Sequence, residues 1–193
     1  MTELWLVRHG QTDWNLGNII QGQQDIPLNE TGIAQARQLA ETLAVTRFDA
    51  IYASDLIRAR LTAQILAERL GLTVTLDPRL REIRQGVWEG HAISEILELY
   101  PEDFRGKNDD PTRPAAEGAE PASQVVTRMV QVANDLHASH KDQRLILVTH
   151  GFAIAALYCT AMAIPLSEVG RHIPENGTPV VLKLEKALEL PVN

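Results

Sequence analysis

Two histidines in the sequence share the same setting. His9 and His150 each end a run of apolar residues, and each is followed directly by a glycine, in LVRHG and LVTHG. A glycine allows a tight turn and lets a ligand approach the backbone closely. A helix that begins after Gly151 would also direct backbone N–H groups at the same place, which favours an anion. A lone histidine is more often structural, but this repeated pattern indicates a functional site.

Arginines close to these histidines supply positive charge. Arg8 adjoins His9, and Arg58 lies four residues after Ser54, on the first turn of the helix that should follow the second strand. Guanidinium groups bind phosphate through paired hydrogen bonds of fixed geometry. Taken alone, Arg58 would be assigned to a surface ion pair. Together with Arg8 and the two histidines, it predicts a compact cationic pocket for a phosphate.

Glu82 is a carboxylic acid that such a pocket could use. It lies in RLREIRQGVWEG (residues 79–90), an irregular segment that contains several basic residues. Repulsion from a bound phosphate dianion would favour the protonated carboxyl, which could then donate its proton to a leaving alkoxide. Without this context, Glu82 would be an ordinary surface carboxylate.

Composition excludes several classes of protein. With 193 residues, of which 45% are hydrophobic and 22% charged, the chain is typical of a globular domain with a sizeable core. A net charge of −7 argues against a general surface for nucleic acid or anionic membrane. No segment reaches the roughly 18 apolar residues that span a membrane, and no signal peptide is evident. The single cysteine, Cys159, fits the core of a protein in a reducing compartment, so we expect a cytoplasmic location.

Strand and helix patterns alternate along the chain. Apolar runs predict strands at 4–9, 49–54, 73–76, 145–150 and 179–184. Apolar residues at helical spacing predict helices at 30–45, 56–70 and 121–139. This alternation predicts an α/β fold with a mostly parallel sheet, whose ligands bind at the carboxyl ends of the strands. The segments VRHG, ASD and VTHG lie at three such ends.

One segment looks different from the rest. Residues 101–121, PEDFRGKNDDPTRPAAEGAEP, are rich in Pro, Gly and Asp, which predicts a long loop. Long loops inside compact domains are often lids or specificity elements. A solvated surface excursion is an equal alternative.

These segments resemble a known family, the histidine phosphatase superfamily, also called the phosphoglycerate mutase-like family. The resemblance is carried by LVRHGQTDWN (6–15), QGQQDIPLNETGIAQARQLA (21–40), YASDLIRARLTAQI (52–65), LREIRQGVWEG (80–90) and VTHG (148–151). It covers nearly the whole chain. It implies a three-layer α/β/α sandwich, formed by a single domain over residues 1–193, with a lid or specificity region at about 84–121.

The resemblance also implies a role for each candidate residue. His9 would attack phosphorus and become a phosphohistidine, while Glu82 would protonate the leaving oxygen and then activate water. Oxygens of the phosphate would be held, and their transition-state charge stabilised, by Arg8, Arg58, His150 and Gly151. Contacts to the rest of the substrate are expected from Asn15, Gln21, Gly22 and Arg84. Trp14 and Trp88 either line the substrate site or pack in the core.

No metal or other cofactor is expected, because the cationic side chains would do the electrostatic work. The sequence shows no paired carboxylates placed for a divalent ion and no glycine-rich nucleotide loop. His137 and His140 have a spacing that could bind metal, but without further ligands we expect both to be solvated.

The family contains phosphatases and mutases, which share this pocket. The segment IRQGVWEG is similar to the compact broad-specificity and α-ribazole phosphatases, whereas cofactor-dependent mutases are longer. We therefore expect a metal-independent phosphatase that acts on a small phosphorylated metabolite, with mutase-type transfer as the alternative. A non-catalytic phosphate-binding module is less favoured, since His9 and Glu82 are both present. A homodimer stays open as the assembly. One departure is GAEP (118–121) in place of the common GGES, which keeps Glu120 but replaces serine with Pro121.

Overall fold

The computed structural model describes residues 1–106 and 110–190, and a five-stranded sheet lies at its centre. The strands are β1 (Thr2–Arg8), β2 (Ala50–Ala53), β3 (Val74–Leu76), β4 (Arg144–Thr149) and β5 (Pro179–Leu184). They lie in the order β3-β2-β4-β1-β5, and all pairs are parallel except β1 with β5. The predicted α/β fold with a mostly parallel sheet is therefore confirmed.

Helices cover both faces of this sheet. They are α1 (Asp13–Leu16), α2 (Glu30–Leu43), α3 (Ile57–Leu70), α4 (Ile93–Leu99), α5 (Pro101–Gly106), α6 (Ala122–Ser139) and α7 (Gly151–Ala161). Short 3₁₀ turns add Pro78–Leu80, Gly86–Trp88 and Leu166–His172. None of the helices in the described part of the chain has both the length and the apolar character to cross a membrane.

Strand β4 shows why three layers form. All of its apolar residues are buried, and successive side chains point to opposite faces of a sheet. Leu145 and Leu147 belong to a core with residues of α6 and α7, whereas Ile146 and Val148 belong to a second core with residues of α2 and α3. A strand that is apolar throughout thus needs helices on both of its faces.

The predicted loop at 101–121 is wrong in its first part, where Pro101–Gly106 forms α5. Proline suits the first turn of a helix because its missing N–H has no partner there, and Glu102 and Asp103 place negative charge at the positive helix end. The composition that suggested a loop is therefore also compatible with a short helix. Residues 107–109 of the predicted loop lie outside the described residues, and the part from 110 to 121 forms no helix or strand.

Gly10 lies just beyond the end of β1 and directly follows His9. Its N–H donates to Thr62 Oγ1, in α3, at 3.0 Å. A Cβ at Gly10 would overlap the backbone carbonyl of Gly32, in the first turn of α2. Glycine is therefore required here by the close packing of the strand end against two helices.

Replacing Gly10 with alanine should destabilise the fold. Overpacking of a tight contact typically costs about 2 kcal/mol, so we expect a loss of that size in the free energy of unfolding, measured with urea. Gly170→Ala is the matched control, because a Cβ at Gly170 meets no atom within 4 Å. Equal stability of the two variants would contradict the packing argument.

Candidate active site

The carboxyl ends of β1 and β4 bring the two predicted histidines together. These strands are neighbours, and the His9 N–H donates to the Thr149 carbonyl at 3.0 Å, so that His9 and His150 emerge side by side. Their ring centroids lie 5.1 Å apart. Both side chains are buried, with 3% of His9 and none of His150 exposed.

Two neighbours define the protonation of His9. Nδ1 lies 2.7 Å from the Gly10 carbonyl oxygen, and Arg58 Nε donates to Nε2 at 3.2 Å. A carbonyl only accepts and a guanidinium only donates, so we assign the proton to Nδ1 and a lone pair to Nε2. Burial, reinforced by the charge of Arg58, holds the pKa of His9 well below its usual range. Nε2 is thus an unprotonated, nucleophilic nitrogen at neutral pH.

Arg58 is a buried cation in the first turn of α3. Its Nη1 donates to the Gln24 carbonyl at 2.6 Å and its Nη2 to the Gly22 carbonyl at 2.8 Å. Burial lowers its pKa to about 10, which still leaves the guanidinium charged at neutral pH. Arg58 is therefore a fixed positive charge held against His9, and the surface ion pair considered for it is not formed.

Gly22 contributes through its backbone. It adopts a φ of +49°, and a Cβ there would overlap the carboxylate of Glu89. That carboxylate accepts hydrogen bonds from the N–H groups of Gln23 at 3.0 Å and Gln85 at 2.9 Å. Glu89 thereby fixes the turn whose carbonyls hold Arg58.

Arg8 reaches the same place from β1. Its Nη1 donates to the Pro174 carbonyl at 2.7 Å, while its Nε is buried without a hydrogen-bond partner among the described residues. Burial lowers its pKa from the usual arginine value. Gly151 lies directly alongside, because a Cβ there would come within 3.3 Å of Arg8 Nε and 2.9 Å of Ile173. The glycine therefore keeps this guanidinium accessible.

His150 is a fully buried member of this group. Its Nε2 is 2.9 Å from Ser54 Oγ, and its Nδ1 is buried without a partner in the part of the chain that is described. Burial first, and then the charge of Arg58, holds its pKa well below the usual value. His150 does not line the cavity itself, so its predicted contact with phosphate remains a prediction.

Glu82 sits at the N-terminus of α7. Its carboxylate accepts hydrogen bonds from the backbone N–H groups of Ile83 at 2.9 Å, Phe152 at 3.1 Å and Ala153 at 3.2 Å. The last two belong to the first turn of α7, which has no side-chain cap of its own. Glu82 thus satisfies unpaired helix donors and also lines the same cavity as His9.

A cavity of about 500 Å³ connects these groups. The predicted residues that line it are Arg8, His9, Asn15, Gln21, Gly22, Arg58, Glu82 and Gly151. Arg84 does not line it: its Nε instead donates to the Gly118 carbonyl at 2.9 Å. The structure therefore gives no support to the predicted substrate contact of Arg84. Its side chain leaves an irregular segment, where spacing does not determine direction.

Several other residues that line the cavity are apolar. Among them are Trp88, Ile93, Phe104, Phe152 and Ile173. Trp88 is only 1% exposed, so it packs in the core and lines the cavity at the same time, and Trp14 lines it as well. The two alternatives considered for the tryptophans thus do not exclude each other.

Sequence reasoning did not identify Asn176 or Arg113, which also line the cavity. Asn176 Nδ2 donates to the His9 carbonyl at 2.8 Å and approaches Asn15 Oδ1 at 3.4 Å. Asn176 lies in a turn, PENGTP, and Arg113 lies in the part of 101–121 that forms no helix or strand. Neither position has a local pattern that would point to the site.

The described residues contain no group of three or more His, Cys, Asp or Glu side chains that could hold a metal ion. The expectation that His137 and His140 are solvated is wrong. His137 Nδ1 lies 3.0 Å from Thr2 Oγ1, and His140 Nε2 lies 2.8 Å from the Tyr52 hydroxyl. These half-buried contacts lie at the end of β1 opposite the cavity, and they join α6 to the sheet.

Comparison with known proteins identifies the family of this chain. The sequence model of the histidine phosphatase superfamily (branch 1) matches residues 4–188. The chain belongs to this superfamily.

Members of the superfamily align along most of the chain. Phosphoserine phosphatase 1 of Hydrogenobacter thermophilus is 34% identical over 96% of this chain and 88% of its own length. A probable phosphoglycerate mutase, GpmB, of Proteus mirabilis is 37% identical over 86% of this chain and 77% of its own. The solved structure of a mycobacterial glucosyl-3-phosphoglycerate phosphatase with VO₃ superposes with a TM-score of 0.87. It is 35% identical and covers 94% of this chain and 90% of that one. The predicted family is confirmed.

The buried histidines should make the fold sensitive to acid. Both have a pKa below the usual 6.5, so the unfolded chain takes up protons there while the folded chain does not. The free energy of unfolding should therefore fall as the pH drops below about 6.5, by up to about 1.4 kcal/mol per pH unit for each histidine. Urea unfolding of the native protein and of His150→Asn, compared from about pH 7 to 5, should show a shallower decline in the variant. Identical slopes would contradict this origin of the acid sensitivity.

Proposed function

We propose that this protein hydrolyses small phosphate monoesters through a phosphohistidine on His9. The observation that carries the proposal is the unprotonated Nε2 of a buried histidine, held against the cation Arg58 at the base of a cavity. Membership of the superfamily and the phosphatase names of two relatives support a phosphoric monoester hydrolase, as the sequence predicted.

In the first step, His9 Nε2 attacks phosphorus and the bond from phosphorus to the ester oxygen breaks. Arg8 and Arg58 hold the phosphoryl oxygens, with His150 Nδ1 as a further partner, and stabilise their charge. Glu82, in its protonated form, gives its proton to the leaving oxygen, so that an alcohol departs and Glu82 becomes a carboxylate.

In the second step, water attacks the phosphohistidine. Glu82 accepts a proton from the water as its oxygen bonds to phosphorus, and the bond from Nε2 to phosphorus breaks. Inorganic phosphate leaves, and His9 and Glu82 return to their starting states. Charge stabilisation comes from side chains in both steps, so the proposal needs no metal.

We further propose that the described residues of 84–121 form the specificity region of one domain over 1–193. Trp88, Ile93, Phe104 and Arg113 belong to this region, and all four line the cavity that Glu82 also lines. The relatives are named for phosphoserine and glucosyl-3-phosphoglycerate, which supports a small phosphorylated metabolite as the substrate here. The apolar residues that line the cavity would contact the carbon skeleton, with Arg113 available to a second acidic group.

Phosphoryl transfer of the mutase type is the second candidate, favoured by the similarity to a probable phosphoglycerate mutase. Transfer requires that a second substrate, rather than water, receive the phosphoryl group. Hydrolysis has better support, because the phosphatase-named relatives align over more of this chain and of their own length. A product whose formation from 3-phosphoglycerate depends on a bisphosphate primer would favour transfer.

The phosphoenzyme provides the test of the proposed function. Incubation with a radiolabelled phosphate monoester, followed by a denaturing quench, should trap a phosphoprotein that is labile in acid and stable in base. His9→Ala should form none, whereas His91→Ala should behave like the native protein, because His91 is half exposed and lies outside the cavity. Phosphate release by His9→Ala at the native rate would overturn the proposal.

Glu82→Gln should reveal the proton donor through its dependence on the leaving group. A positioned acid contributes about 100-fold or more when the leaving alcohol is a poor one, and little for nitrophenol. We therefore expect kcat/KM to fall about 100-fold for an alkyl phosphate and by less than about tenfold for 4-nitrophenyl phosphate. Glu98→Gln, at an exposed position of α4, is the control. Equal losses on both substrates would contradict the role of Glu82 as acid.

A further inference from the structure

The segment that carries Glu82 has no regular structure to hold it. The 3₁₀ turn Pro78–Leu80 ends before it, and residues 81–84 form neither helix nor strand. A proton donor must nevertheless be held to within about 0.5 Å of its productive position. The placement of Glu82 therefore depends on side chains that bind this segment from outside.

Arg128 binds the backbone on the N-terminal side of Glu82. Its Nη1 donates to the Arg79 carbonyl at 2.7 Å and also to the Arg81 carbonyl. It projects from α6, between Val125 and Met129, which are fully buried. The side chain of Arg128 is only 15% exposed, so the guanidinium that binds these two carbonyls lies largely inside the protein.

Glu120 binds the backbone on the C-terminal side. Its carboxylate accepts from the Arg84 N–H at 3.3 Å, and its own N–H donates to the Arg84 carbonyl at 2.8 Å. The same carboxylate accepts two hydrogen bonds from Arg128, at 2.9 Å from Nε and 3.1 Å from Nη2. The pair thus holds the backbone before and after Glu82 as one unit.

We infer that Glu120 and Arg128 are positioning residues for the acid Glu82, and this inference rests on the proposed function. Burying an ion pair contributes little to stability by itself, because desolvation offsets the attraction. A geometric role accounts for the position of this ion pair, because Glu120 and Arg128 together form four hydrogen bonds with the backbone of residues 79–84.

Glu120 lines the cavity, so a direct catalytic role has to be considered. Both of its carboxylate oxygens already accept hydrogen bonds from Arg128, and one also accepts from the Arg84 backbone. Its oxygens are therefore committed to the scaffold. The partners of Glu82 are backbone N–H groups, including two at the start of α7, and Glu82 lines the same cavity as His9. The proposed proton transfer is therefore assigned to Glu82.

The test compares Arg128→Lys and Glu120→Gln on two substrates. Lysine keeps the charge, but its three donors on one nitrogen cannot replace the four hydrogen bonds that Arg128 makes from three nitrogens. Glutamine keeps the shape of Glu120 but loses the ion pair. We expect kcat/KM for an alkyl phosphate to fall roughly tenfold, a fraction of what a positioned acid supplies, with less than about twofold change for 4-nitrophenyl phosphate. A merely structural loss would lower both values equally.

Double variants separate positioning from direct contact. In the Glu82→Gln background there is no acid left to position, so Arg128→Lys and Glu120→Gln should cause no further loss on the alkyl phosphate. Arg69→Lys, which alters an exposed arginine–glutamate pair, should leave the ratio of the two substrates unchanged. Thermal unfolding monitors the fold, and if Arg128→Lys does not fold, Glu120→Gln carries the test.

Two results would overturn the inference. An unchanged substrate ratio in both single variants, with normal phosphoenzyme formation by the native protein, would exclude positioning while leaving the proposed function intact. A full additional loss in the Glu82→Gln background would show that the pair acts on substrate directly. If the native protein forms no phosphoenzyme, the proposed function fails and this inference fails with it.

Discussion

A guanidinium that keeps its charge is held against the ring nitrogen of His9, and much of the surrounding architecture serves to keep it there. Because Arg58 only donates, it forces Nε2 to accept, and the Gly10 carbonyl then fixes the proton on Nδ1. The turn at Gly22 and the carboxylate of Glu89 in turn hold the carbonyls that bind Arg58. Without any one of these contacts, the position and protonation of His9 Nε2 would be less well fixed.

The two site arginines are held in a different way from Arg81. Arg81 pairs with the Asp55 carboxylate, whereas Arg8 and Arg58 are bound through backbone carbonyls, those of Pro174, Gly22 and Gln24. Within the described residues, neither site arginine forms an ion pair at hydrogen-bond distance. Carbonyls orient a cation without neutralising it, so positive charge is concentrated locally in a chain whose net charge is −7.

The sequence predicts the parts of the site that lie directly at strand ends. Apolar runs locate β1 and β4, and parallel strands deliver His9 and His150 to a common edge. Arg58 follows from the same logic, since it lies one turn into the helix after β2. Glu82 is different: its irregular segment has no period, and it is selected only through the phosphate pocket predicted from the other residues and through the family resemblance.

Other features depend on long-range packing that no local pattern records. Asn176 lies in the site because β5, the strand that follows it, pairs with β1. Arg84 lies outside the site, and its side chain binds the Gly118 carbonyl instead. Helix α5 was hidden by a composition typical of loops. No local sequence pattern distinguishes Arg128 from the other residues of α6, although it binds the backbone carbonyls of Arg79 and Arg81, just before Glu82.

The interior position of β1, between β4 and β5, has a consequence for the order of folding. β1 precedes the other four strands of the sheet in sequence, yet it pairs with β4 and β5, the last two of them, and Thr2 lies opposite Leu184. A chain released only as far as α6 has neither neighbour for β1, so His9 cannot yet be buried. Contacts of such high sequence separation are slow to form. The candidate site therefore assembles only after the chain has extended past β4.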